Sequence, residues 1–106
     1  MKAAAVGFIA GVLAIVSGVT AFFPDSAADR GREVYAAQKC VLCHSIAGVG
    51  GPKLALDQVG SKLKPEVMKR WITTPKEMKA DSTMKPYPNL PEKDLNDLIA
   101  FLTGLK

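Results

Sequence analysis

Cys40-Val41-Leu42-Cys43-His44 gathers two thiols and an imidazole into five consecutive residues. Two cysteines separated by two residues and followed at once by histidine form the attachment signature of c-type haem. Each sulfur can add to one haem vinyl group as a thioether. One helical turn sets both along the same porphyrin edge, and the adjoining His44 can reach beneath the ring to bind iron. The motif takes in both cysteines and the single histidine of the chain. Other uses of these residues fit less well. A structural zinc site needs four ligands, and there is no second cluster to complete one. A thioredoxin-type dithiol needs a βαβ setting, for which the strand alternation is missing. A plain disulfide leaves His44 unexplained.

Haem iron takes two axial ligands, so a partner for His44 has to come from elsewhere. Met68, Met78, Met84, Tyr35, Tyr87, a lysine or an open position are the candidates. Histidine paired with methionine is the ligation of electron-carrying haem, and methionine raises the potential. Met68 falls within the apolar helical stripe Val67, Met68, Trp71 and Ile72, a packing position. Met78 and Met84 both fall in an irregular stretch able to present a sulfur. Met84 is the favoured ligand because Lys85-Pro86-Tyr87-Pro88 stiffens the backbone just past it.

Helices are expected to position these groups. Asp29 to Lys39 reads as a first helix with Val34, Tyr35 and Ala37 toward the core. Ile46 to Pro52 is a glycine-rich loop that lets backbone approach a flat ligand. Pro65 to Thr73 is a helix begun by Pro65 and ended by Pro75. Lys76 to Asn89 is irregular. Pro91 to Leu105 carries Leu95, Leu98, Ile99, Phe101, Leu102 and Leu105 at helical spacing. No repeats and no convincing strands appear.

Lys2 followed by the uncharged run Ala3–Phe23 exceeds the usual signal core of about 7–15 residues and reaches the roughly 20 needed to span a bilayer. It reads as an uncleaved anchor, with a cleaved export signal ending near Ser26-Ala27-Ala28 as the other possibility. The expected organisation is an anchor or signal over residues 1–24, a linker over 25–28 and one domain over 29–106. Either way the domain lies outside the cytoplasm, on the periplasmic side of the inner membrane. The domain holds roughly 80 residues, a size at which a core alone is marginal and a staple is expected. The net charge is +4, too modest for nucleic acid, and no basic run is interleaved with aromatics. Eight basic residues between Lys53 and Lys85 face four acidic ones. They read as an ordinary solvated surface, or as a basic ring that steers an acidic redox partner.

From Asp29 to Leu105 the chain resembles the class I monohaem c-type cytochromes. Gly31-Arg32-Glu33-Val34-Tyr35 resembles their first helix, whose glycine and aromatic pack on the last helix. Cys40 to His44 matches the haem motif, and Leu98-Ile99-Ala100-Phe101-Leu102 resembles the closing helix. Gly51-Pro52-Lys53-Leu54 is similar to a segment whose proline carbonyl accepts from the axial histidine, which implies that role for Pro52. Trp71-Ile72-Thr73-Thr74-Pro75 is similar to the segment whose tryptophan lies along the haem edge, and Ser82 to Tyr87 to the methionine-ligand loop. Lys85 stands where many relatives have proline, and Pro91 where a serine cap is common.

The resemblance implies an all-α fold of three to four helices around one covalent haem c, preceded by an apolar helix. It implies an electron carrier rather than an enzyme, with Cys40, Cys43, His44, Pro52, Trp71 and Met84 at the cofactor and His44 and Met84 on iron. The expected partners are redox proteins, such as a membrane oxidase, reductase or dehydrogenase, with the membrane reached through residues 3–23 if that run is uncleaved, a secreted soluble form if it is cleaved, and no nucleic acid. A haem enzyme or gas sensor with an open sixth position, or an assembly role with a structural haem, are the competing expectations.

Overall fold

A computed structural model describes residues 26–106. The expected apolar helix and the 1–24 anchor lie outside the described residues. Among the described residues no helix is long and apolar enough to cross a membrane.

Helix α1 spans Ala27–Ala37, two residues earlier than expected at each end and beginning within the expected linker. Ser26 explains the shift: its Oγ accepts from the Asp29 amide at 3.0 Å, an N-cap that satisfies one orphan donor. Gly31 and Tyr35 are the buried residues of α1, while Ala37 is exposed. They pack on the last helix, α5, Glu92–Thr103, which buries Leu95, Asp97, Leu98, Ile99, Phe101 and Leu102. Gly31 is required at this crossing. A methyl there would run into the Asp97 carbonyl and lie 2.7 Å from Phe101 Cβ. Tyr35 and Phe101 meet with ring centroids 5.6 Å apart and planes tilted by 59°, a favourable edge-to-face arrangement. Pro91 is the cap of α5 rather than its first residue and makes no side-chain capping bond; Glu92 and Asp94 in the first turn complement the helix dipole instead.

Between the two helices the chain departs from an all-α fold. Three short strands, β1 His44–Ile46, β2 Val49–Gly50 and β3 Leu54–Ala55, form a sheet in the order β2-β1-β3. β1 pairs antiparallel with β2 and parallel with β3. Ala47 and Gly48, both at positive φ, make the tight turn that suits a two-residue hairpin. The Asp57 carboxylate braces that turn by accepting from the Ala47 amide at 2.6 Å. Strands of two or three residues are too short to show alternation, so the expected glycine loop is a hairpin instead.

α2, Val59–Lys62, was not anticipated. α3, Pro65–Thr73, has the expected bounds and buries Met68 and Ile72. Pro75 ends α3 and also opens α4, Pro75–Met78, because proline suits a first helical turn as well as it breaks an interior. The irregular stretch therefore begins at Lys79. The fold is helical around a small core of Tyr35, Leu56, Met68, Ile72 and the α5 stripe, with a minor sheet added at one side.

Candidate cofactor site

The described residues enclose a cavity of about 740 Å³ between the C-terminal end of α1, the sheet, α2, α3, the 79–90 loop and α5. That volume lies within the range of about 300–1,000 Å³ typical of cofactor sites. Its floor is apolar, built from Leu56, Met68, Ile72, Leu98 and Leu102, and its wall carries Cys40, Cys43, His44, Trp71 and Met84. These five predicted site residues meet on one surface. Pro52 is exposed and does not border the cavity; nor does Met78.

The thiols are set by backbone geometry. Lys39 adopts a left-handed conformation at φ 58°, which turns the chain out of α1 into the 3₁₀ turn Cys40–Leu42. Both cysteines are free. Burial pushes the Cys40 thiol above its ordinary value, and the nearby Cys43 adds to the rise, so Cys40 is held protonated at neutral pH.

His44 opens β1, and the parallel register places it opposite Leu54. Its Nδ1 lies 3.2 Å from the Leu54 carbonyl oxygen. The resemblance implies Pro52 as the acceptor; the contact in this structure is with Leu54, two residues on. The reason is the pairing of β3 with β1, while the preceding turn is fastened elsewhere, the Gly51 amide donating to Val41 O at 2.8 Å and to His44 O at 3.2 Å. A carbonyl can only accept, so Nδ1 carries the proton and Nε2 keeps its lone pair for a metal. Three-residue strands leave no sequence signal from which Leu54 could have been found.

The competing ligands separate by their partners. Met68 is 2 % exposed and its sulfur faces the Thr103 hydroxyl at 3.9 Å, a core position. Tyr35 donates to His44 O at 3.4 Å and Tyr87 to Gln38 O at 2.9 Å. Burial raises both phenols, so they stay protonated. Met84 is half-buried beside the core and its amide is held by Ser82 Oγ at 3.2 Å. Trp71 is half-buried on α3. Lys39, Lys53, Lys62, Lys79 and Lys85 border the cavity. An apolar cavity with two free thiols and an imidazole nitrogen oriented for metal on its wall fits a large flat cofactor that carries its own iron.

The family model described as cytochrome c oxidase, cbb3-type, subunit III matches residues 26–102. The chain is also 31% identical over 91 residues to a protein named cytochrome c oxidase subunit 2 from Alkalihalophilus pseudofirmus (strain ATCC BAA-2126 / JCM 17055 / OF4). That alignment covers 77% of the chain and 27% of the relative, so the chain spans about a quarter of its length. The matched residues run from the cap of α1 to the end of the α5 stripe and include the whole cavity-lining set, and on that match the chain belongs to the cbb3-type cytochrome c oxidase subunit III family, with a class I c-type cytochrome domain.

Proposed function

We propose that this domain carries one haem c, attached through Cys40 and Cys43 and ligated by His44 and Met84, and passes single electrons to and from a respiratory oxidase. The observation that carries the reading is that both thiols, the imidazole and the Met84 side chain share one apolar cavity. Haem c bound there supplies a one-electron couple, ferrous to ferric. The free thiols of Cys40 and Cys43 would hold the haem by adding S–H across its vinyl groups. The Leu54 carbonyl orients His44 and raises the basicity of its Nε2. Met84, presented on the cavity wall by the 79–90 loop, would be the second residue to hold the haem iron, and its thioether would keep small molecules off the metal and favour transfer over catalysis. The apolar floor excludes water and so limits reorganisation when charge changes.

The name of the relative, a cytochrome c oxidase subunit, supports partnership with an oxidase complex. The Ala3–Phe23 run supports a place on the periplasmic side of the inner membrane, with the domain tethered close to its partner by a linker of a few residues.

The test is spectroscopic. Met84→Ala should abolish the weak far-red sulfur-to-iron band of the oxidised protein, and Met78→Ala should keep it. Survival of the band in Met84→Ala with its loss in Met78→Ala would sink the assignment, and rapid carbon monoxide binding to the reduced native protein would favour an open site instead.

A further inference from the structure

The segment from Lys79 to Pro91 contains no helix or strand, so its shape depends on individual ties, from side chains and from single backbone amides. Lys53 Nζ donates to Thr83 Oγ1 at 3.3 Å between two exposed residues, where water competes and the net worth is small. Ser82 Oγ accepts from the Met84 amide, which fixes a two-residue turn but not where that turn sits against the cavity. Tyr87 acts at longer range. Its amide donates to Ile72 O on α3 at 2.9 Å. Its phenol donates to Gln38 O, at the end of α1 two residues before Cys40, also at 2.9 Å. The ammonium of Lys85 lies 5.3 Å from the Tyr87 ring centroid, within cation–π range. Lys85 is the residue that departs from the proline common at this position, and its stacking on Tyr87 restrains the same stretch of backbone by another route.

We infer that Tyr87 is the positioning residue of the Met84 ligand: its phenol ties the ligand loop to the helix that delivers Cys40 and its backbone amide ties the same loop to α3, with Lys85 stacked on its ring as a second restraint. The inference rests on the reading that Met84 binds iron, and the experiment separates the two.

In the full-length haem-loaded protein, carbon monoxide binding to the reduced form reports how readily Met84 leaves iron. Tyr87→Phe keeps the ring and loses the phenol bond. It should speed carbon monoxide binding about tenfold, as expected for one well-made hydrogen bond, and weaken the far-red band. Tyr35→Phe removes a comparable hydroxyl on the histidine side and should leave the rate within about twofold of native. Lys85→Gln should speed binding about threefold, and Lys85→Arg should restore the native rate. Equal rates for Tyr87→Phe and Tyr35→Phe overturn the inference. If Tyr87→Phe yields no loaded protein, the Lys85 pair decides, and identical rates for Gln and Arg overturn it. Met84→Ala distinguishes the layers: native binding in that variant removes the ligand reading itself, whereas fast binding there with native behaviour in Tyr87→Phe removes only the role of Tyr87.

Discussion

Gly51 is where the cofactor motif and the sheet touch most closely. A methyl added there would run into the Leu42 carbonyl and lie 2.9 Å from Cys43 Cα. Both atoms are backbone of the haem motif, so neither can swing aside. Gly51→Ala should therefore cost about 1–3 kcal/mol of stability, the usual range for forced overpacking. Urea unfolding should show a lower midpoint with little change in slope. Haem content per chain should fall as well, because the same shift moves Cys43 and His44. The exposed proline beside it behaves differently. Pro52→Ala removes no contact with the cavity, and the Leu54 carbonyl continues to orient His44. At the residue scale the reactive groups themselves were legible, since CxxCH is a chemical unit read directly from spacing. The acceptor for His44 was not, because a backbone carbonyl belongs to no residue type.

At the scale of elements, the α1–α5 crossing holds the domain closed behind the cavity. Asp97 is 5 % exposed at that crossing. It accepts from Lys93 Nζ at 2.9 Å, one turn earlier on α5, and from Arg30 Nε at 3.1 Å on α1. The hydrogen bonds from Lys93 and then Arg30 hold its carboxyl below the ordinary aspartate value. A depressed folded-state value means that Asp97 stabilises the fold fully above the ordinary value of about 3.9 and that this contribution is lost as pH falls through the lower folded value. Asp97→Asn should lower the thermal midpoint at pH 7. It should also flatten the decline of the midpoint below about pH 4, measured by circular dichroism melts across pH 2–7. The helices α1, α3 and α5 were legible because each has an apolar stripe at helical spacing. The ends moved where a single cap or proline decided them, as at Ser26 and Pro91. α2 and α4 are four residues each, too short for periodicity to register.

The whole molecule joins a basic rim to a site for charge transfer. Lys39, Lys53, Lys62, Lys79 and Lys85 all border the cavity, although the chain as a whole carries only +4. Among the described residues Asp81 is the one carboxylate on the same rim, paired with Lys79 at 3.9 Å. A rim with such an excess of positive charge around a low-dielectric opening focuses field and speeds encounter with an acidic partner by roughly 10- to 1,000-fold at low salt. Electron transfer to an acidic redox partner should therefore slow steeply as ionic strength rises. Lys62→Glu should slow it several-fold at low salt and converge with native at high salt, where screening removes the difference. Stopped-flow mixing across a salt series checks this; a flat native profile would return these lysines to an ordinary solvated surface.

What the sequence determined alone was the local chemistry and its nearest scaffolding: the haem motif at Cys40–His44, Tyr35 on the buried side of α1, and the amphipathic stripes of α3 and α5. These signals depend on neighbours within a few residues, which any reader of spacing can see. Only the tertiary structure decided which carbonyl holds His44, that Met84 rather than Met78 borders the cavity, and that Tyr87 bridges 49 residues back to Gln38. Each depends on segments far apart in the chain meeting at one surface, and the groups that meet include backbone atoms that leave no mark on residue type.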